Sequence, residues 1–418
     1  MEPSLLLSRL VVKGFKSLAD VTVDLPRMAV IFGPNAVGKS NLVDAVQTLA
    51  ALATERTLAD AFAMMPRGYP LEAFTLPSEG LPGLLAQDQS VLQLEAVIAR
   101  RPNGKGEPWQ LDYRVAIAIH PPTGALRIED EFLTRLSPHP GYPRIEHAGG
   151  QVFVRRLNRG RPYTEEPGAN HTELSDPRRS GVTYPEFDVA RAEFLRWRAY
   201  YLDPRGAMRR AAPPVEVDDI GSSGEALAPF LFRLKSEFPK SFSAVERALR
   251  ASIPSITHLD VELDTRRGTL DIVIVQDGIP YSSRVISEGT LRVLALCAIV
   301  SNPEPASLIA FEEPENGVHP RRIESIANLL AQVALDGRSQ VLVTTHSPIF
   351  ASAILRRQRV DPARVRLFVA GRQAASTTIT PFQDPGDLLE DPALQEALMA
   401  PDEDRVLEEM LLRGWIDG

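Results

Sequence analysis

Residues 28–40 read Met28-Ala-Val-Ile-Phe32-Gly33-Pro34-Asn35-Ala36-Val37-Gly38-Lys39-Ser40, an apolar run that breaks into a loop bounded by glycines and closed by Lys-Ser. Five consecutive apolar residues ending in turn residues fit a strand covered on both faces. The spacing Gly33-x-x-x-x-Gly38-Lys39-Ser40 gives each residue type a physical task. Glycines let backbone N–H groups converge on an anion, and a helix from about Gly38 through Leu52 adds its positive end. Lys39 would reach the β- and γ-phosphates of ATP, and the Ser40 hydroxyl would ligate Mg²⁺. Pro34, Asn35, Ala36 and Val37 form the rest of the cradle, and Asn41 follows it on the helix. Strand, loop and helix in this order predict an α/β fold of the P-loop NTPase kind.

Three further segments fit the same chemistry. Leu308-Ile-Ala-Phe311-Glu312-Glu313 is an apolar strand pattern ending in two carboxylates. Glu312 would contact the Mg²⁺ shell, and Glu313 would orient or deprotonate the attacking water, because hydrolysis needs an acceptor in line with the γ-phosphate. Gln340-Val-Leu-Val-Thr-Thr345-His346-Ser347-Pro348 is a second such strand, one helix later, and places His346 to sense the γ-phosphate. Val285-Ile-Ser287-Glu288-Gly289-Thr290 opens the helix Leu291 to Val300, where Ser287 and free backbone amides would make a second anion site.

Length and composition bound the rest. A chain of 418 residues accommodates an ATPase core with a sizeable insertion. Its longest nearly uninterrupted apolar run, Val293 to Val300, is too short to cross a bilayer. Met1 to Leu10 lacks the pattern of a secretory signal, so a cytoplasmic protein without a membrane partner is expected. A net charge of −8 argues against a surface that is basic throughout. Cys297, the single cysteine, reads as core packing of a helix.

Along the chain, residues 1–60 read as the N-terminal part of the ATPase core, with strands at Leu5 to Val12 and Val21 to Leu25 ahead of the loop. Residues 61–200 read as an inserted β-rich and helical region, with strands at Val91 to Ile98, Gln110 to Ile119, Leu126 to Leu136 and Gln151 to Leu157. A polar stretch near 159–183 reads as a mobile loop, and Asp188 to Tyr201 as a helix. Residues 201–373 return to the core and carry the signature, acidic and histidine segments. Residues 374–418 read as a tail with helices at Asp387 to Leu398 and Asp404 to Leu412.

Taken together these motifs resemble the ABC-type ATPases of the SMC/RecF branch, and among them stand-alone RecF- and OLD-like AAA family ATPases found in bacterial anti-phage islands. Leu10-Val-Val-Lys-Gly-Phe-Lys-Ser17 looks like that family's first strand and turn. Glu312-Glu-Pro-Glu-Asn-Gly-Val-His-Pro320 is similar to its acidic motif running into the D-loop, Ser287-Glu-Gly-Thr290 to its divergent signature, and Asp218 to Leu227 to its turn back into the core. The match covers about residues 1–55 and 200–370. The resemblance implies an ABC-ATPase-like mixed sheet, ATP and Mg²⁺ as cofactors, and a homodimer or higher oligomer built on composite ATP sites. Ser287 and Gly289 of one subunit would then meet the nucleotide held by Lys39 of the other. Two positions depart from the pattern: Glu312 stands where many relatives carry Asp, and Glu288 where Gly is common. The family's glutamine between Mg²⁺ and the insertion has no clear counterpart, Gln47 being a poor candidate.

The resemblance implies an ATP-gated switch or motor in DNA repair or phage defence, acting on DNA or on a separately encoded nuclease or toxin. The alternative is a slow or non-hydrolysing ATP-bound scaffold that holds such an effector. No strand-borne acidic set of a Toprim nuclease follows Val369. Arg155, Arg156, Arg159, Arg161, Arg178 and Arg179 are candidates for DNA phosphates, although Glu165, Glu166, Glu173 and Asp176 interleave and favour an acid-paired loop. Arg191, Arg196, Trp197, Arg198, Tyr200 and Tyr201 mix basic and aromatic character, and Phe194, Leu195 and Trp197 fit helix packing.

Overall fold

The structure is a computed structural model that describes residues 5–100, 109–137, 141–157, 161–165 and 170–383. Arg159, Glu166 and the two expected tail helices lie outside the described residues. The N-terminal part runs β1 (Leu5–Phe15), β2 (Leu18–Asp24), β3 (Met28–Phe32), α1 (Lys39–Thr54), α2 (Leu58–Ala63), α3 (Gly80–Leu85), β4 (Ser90–Arg100), β5 (Trp109–His120), β6 (Ala125–Ser137), β7 (Ile145–Ala148), β8 (Gln151–Val154), β9 (Tyr163–Glu165) and α4 (Pro185–Phe194). The remainder runs β10 (Trp197–Tyr200), α5 (Leu227–Glu237), α6 (Pro239–Ser252), β11 (Ile256–Asp264), β12 (Thr269–Gln276), β13 (Ile279–Ser282), α7 (Glu288–Val300), β14 (Leu308–Glu312), α8 (Pro320–Leu335), β15 (Gln340–Thr345), α9 (Pro348–Val360), β16 (Val365–Gln373) and β17 (Ser376–Pro381).

These elements form two compact units. The first holds the described residues up to 197 together with 368–383. Its main sheet has the order β2-β1-β4-β5-β6-β7-β8-β9. In β4 the residues Leu92, Leu94, Ala96 and Ile98 are buried and alternate with Gln93, Glu95 and other less buried positions, so one face of the sheet meets the core. β4 also pairs antiparallel with β1, which makes the strands read as an insertion continuous with the N-terminal hairpin. β3 is buried along its whole length, as its unbroken apolar sequence requires.

The second unit spans residues 198–367. β14 and β15 pair in parallel from Leu308↔Gln340 to Glu312↔Thr344, and their side chains are buried up to the strand ends. β11, β12 and β13 form a separate antiparallel sheet. α7 is buried from Thr290 to Val300, and Cys297 within it is fully buried, with burial pushing its thiol up to about 12. This bears out its reading as core. Among the described residues no helix is long and apolar enough to cross a membrane.

Two expectations need correction. Asp188 to Tyr201 is not one helix: α4 ends at Phe194, and β10 begins at Trp197. The aromatic run resolves as a strand because Trp197 and Tyr200 are both buried, Tyr200 stacking on Phe311 at 5.2 Å. Leu195, expected in the packing face, is 54% exposed. The described part of the loop near 159–183 is also not loose. Thr172, Leu174 and Ser175 are buried, and Thr172 Oγ1 donates to Leu52 O near the end of α1 at 2.8 Å. Glu131 fastens the same segment by accepting from the backbone N–H groups of Glu173 (2.7 Å) and Leu174 (3.0 Å). Composition suggested mobility here, but buried partners far along the chain order the segment.

Candidate functional site

In the first unit, β3 delivers the chain into the glycine-bounded loop and α1 leaves it. Gly33 passes so near the neighbouring backbone that a Cβ would lie 2.5 Å from Ala370 O, which accounts for glycine there. Ala36 and Gly38 adopt positive φ values of 66° and 98°, the alternation that turns successive N–H groups toward one side. No side chain caps α1, and its first turn carries no acid, so the positive end of the helix is left for an anion. Lys39 is buried, and its Nζ donates to Gly33 O at 2.9 Å and Pro34 O at 2.8 Å, which folds the ammonium over the loop. Pro34, Asn35 and Ala36 are exposed, while Val37, Gly38 and Ser40 are half-buried. Gln47 lies on α1 and donates to Met64 O at 3.0 Å, an internal tie.

α1 is anchored through Asp44, fully buried, which meets Lys16 Nζ at 2.7 Å and Arg67 at 3.1 Å. A buried carboxylate deprived of such partners costs roughly 3–5 kcal/mol. Lys16 belongs to the Leu10–Ser17 segment, so the turn between β1 and β2 is fixed to the helix that follows the loop.

In the second unit, Glu312 and Glu313 stand where β14 ends. Glu313 adopts a φ of 43°, uncommon for a residue with a side chain, and its N–H donates to Thr344 O at 2.9 Å. Its Oε1 lies 3.0 Å from His346 Nδ1, so two residues expected to act on the γ-phosphate meet within this unit. Ser287 is exposed and caps α7, accepting from Thr290 N at 3.2 Å and donating to Thr290 Oγ1 at 2.8 Å. Gly289 packs against the segment after the acidic strand, where a Cβ would lie 2.8 Å from Gly317 O. Glu288, the departure in the signature, pairs with Arg205 at 2.6 Å.

Sequence reasoning missed Glu315 and Thr345. Glu315 is 4% exposed and accepts a short hydrogen bond from Thr345 Oγ1, which in turn accepts from Ser347 N at 3.0 Å. Its second oxygen, Oε2, is buried with no hydrogen-bond partner among the described residues. Burial raises the Glu315 carboxyl above its usual range. Glu315 was present in the acidic run, but only its burial separates it from an ordinary turn acid. Arg292 of α7 is buried as well, and burial lowers its guanidinium while Glu315 is the largest charge supporting it.

Arg155, Arg178, Arg179 and Arg191 are engaged with acids or carbonyls. Arg179 is buried against Glu173 at 2.9 Å, Arg178 meets Asp176 at 2.7 Å, and Arg155 meets Glu146 at 2.6 Å. Arg191 donates to the carbonyls of Leu174, Asp176 and Arg179. Arg155, Arg178 and Arg179 are thus acid-paired, Arg179 in a buried rather than a solvated setting.

The fold is an ATPase fold of the SMC-head type. The Smc head bound to the C-winged helix domain of ScpA superposes with a TM-score of 0.53 at 14% identity, over 90% of this chain and 98% of that one. The Smc head domain with a coiled coil and joint from Pyrococcus yayanosii gives 0.50 at 11% identity, over 93% and 100%. By sequence, the chain belongs to the family described as "AAA domain, putative AbiEii toxin, Type IV TA system", whose signature matches residues 28–352. No curated protein matches it.

Proposed function

We propose that this protein binds Mg-ATP and hydrolyses it, and that ATP closes a homodimer which works as a nucleotide-gated switch. In this reading Gly33 to Asn41 hold the phosphates, Lys39 neutralises them, Glu313 orients or deprotonates the attacking water, and His346 senses the γ-phosphate. Ser287 and Gly289 of the second subunit complete the site. The observation that carries the reading is the pairing of Glu313 with His346 at 3.0 Å at the mouth of a buried parallel strand pair. A carboxylate held by an imidazole beside a strand end is the acceptor that phosphoryl transfer to water needs.

Among the described residues no group of three or more His, Cys, Asp or Glu could hold a metal by itself. Mg²⁺ binds through one or two protein oxygens and the nucleotide's own phosphates. Ser40 and Glu312 are the residues that would hold it, and its charge would offset that of the phosphates. The protein would act in the cytoplasm, in DNA repair or phage defence, on DNA or on a separately encoded nuclease or toxin. The rival reading, a slow ATP-bound scaffold, is favoured by Glu288, whose carboxylate lies within the signature and is held there by Arg205.

ATP hydrolysis by wild type and Glu313→Gln, each with and without duplex DNA, separates the two. The switch reading expects a loss of about 100-fold or more in Glu313→Gln and an ATP-dependent increase in mass of that variant. Equal, negligible rates in all four conditions would remove turnover and leave the scaffold.

A further inference from the structure

We infer that Thr377 and Ser17 are positioning residues for the phosphate loop, acting through a one-way chain of hydrogen bonds. Thr377 lies in β17, past the end of the family match and in what the sequence presents as a tail. It is 2% exposed. Its Oγ1 donates to Val37 O, inside the glycine-bounded loop, at 2.6 Å. Ser17 Oγ is 2.6 Å from the same Thr377 oxygen, and Asn41 Nδ2 donates to Ser17 Oγ at 2.8 Å. Because the Thr377 proton is given to Val37 O, the Ser17 hydroxyl must donate to Thr377. The direction is then set throughout: Asn41 amide to Ser17, Ser17 to Thr377, Thr377 to the Val37 carbonyl. The backbone closes the same arrangement, since Thr377 N donates to Ser17 O at 2.8 Å.

The consequence for the loop follows from the planar trans peptide. The carbonyl of residue 37 and the N–H of residue 38 belong to one peptide plane and point in opposite directions. Holding Val37 O against Thr377 therefore turns the Gly38 N–H away from β17 and prevents that peptide from flipping. Gly38 sits so close to this clamp that a Cβ would collide with both Thr377 Oγ1 and Ser17 Oγ. The loop that is to meet phosphate is thus oriented from behind by the β1–β2 turn and by β17, all within the first unit. A chain of hydrogen bonds running one way reinforces each member, so losing the terminal donor weakens the whole.

The inference rests on the reading of Gly33 to Asn41 as a nucleotide site, and its test keeps the two apart. Binding of the fluorescent analogue mant-ATP and steady-state ATP hydrolysis are measured for wild type, Lys39→Ala, Thr377→Val, Thr377→Ser and Ser17→Ala. Thr377→Val keeps the shape and removes the hydroxyl; it is expected to raise the mant-ATP Kd and the KM by about tenfold, with kcat changed less than about threefold. Thr377→Ser restores the donor and is expected near wild type, and Ser17→Ala weakens binding in the same direction by less. Should Thr377→Val fail to fold, Ser17→Ala and Thr377→Ser decide. Wild-type affinity in Thr377→Val or Ser17→Ala, or a Thr377→Ser as impaired as Thr377→Val, overturns the inference. Lys39→Ala binding as wild type would instead overturn the nucleotide site.

Discussion

Replacing Thr345 by Val tests whether the buried Glu315 is part of what holds the histidine turn. Thr345 is fully buried, and its hydroxyl serves two buried groups, donating to Glu315 Oε1 and accepting from Ser347 N. Valine preserves the volume and shape of threonine but leaves a carboxyl and a backbone N–H without these partners. Each buried polar group so stranded costs roughly 1–3 kcal/mol, and two of them about 4 kcal/mol. For a domain of this size that corresponds to a fall in Tm of about 8–16 °C. The neighbouring residue is His346, which lies 3.0 Å from Glu313, so hydrolysis is expected to fall as well. Thermal unfolding at pH 7 followed by circular dichroism, with Thr345→Ser as the control that keeps the hydroxyl, reads the effect. A Thr345→Val protein that melts within about 2 °C of wild type would refute the reasoning, because the buried carboxyl would then have found other solvation.

Two further substitutions are worked from the geometry. Glu131 is fully buried, and although it accepts from Tyr113 and two backbone N–H groups, burial dominates and raises its carboxyl from 4.5 to about 8. Between pH 4.5 and 8 the folded chain retains a proton that the unfolded chain releases, so this group's contribution to stability is complete below pH 4.5 and is lost as pH rises through 8. Glu131→Gln should abolish that slope, at most about 1.4 kcal/mol per pH unit; urea midpoints of wild type and variant that run parallel from pH 5 to 8 would contradict it. Gly289→Ala places a methyl group 2.8 Å from Gly317 O and 3.4 Å from the Val318 Cα, both backbone. A destabilisation of about 1–3 kcal/mol is expected, and an unchanged urea midpoint would mean that the segments part freely.

Much of the candidate site was legible because its parts are contiguous in sequence. The loop from Gly33 to Ser40 carries its glycines at the positions where φ turns positive or backbone approaches closely, and the strand before it is apolar at every position. Ser287 announced itself as a helix cap and is one. The acidic pair and His346 could be read as the ends of two apolar strands, since a buried parallel pair tolerates polar residues only where it emerges. Glu315 was not legible, because a third carboxylate, just past the strand end, looks like solvated turn until its burial is known. The helix expected over Asp188 to Tyr201 failed for a related reason: helical and strand patterns overlap in a short aromatic run, and the packing of Trp197 and Tyr200 decided between them.

By itself the sequence determined the local motifs: a glycine-bounded loop, an acidic strand end, a histidine turn and a capped helix, each written in fewer than about ten consecutive residues. Only the tertiary structure decided what supports them. The donor to Val37 O comes from a residue 340 positions further along the chain, and the segment around Leu174 is ordered by Glu131 on β6. A hydrogen bond of that kind depends on which strands pair and in what register. Pairing is a property of the whole sheet and leaves no pattern in either partner's own neighbourhood.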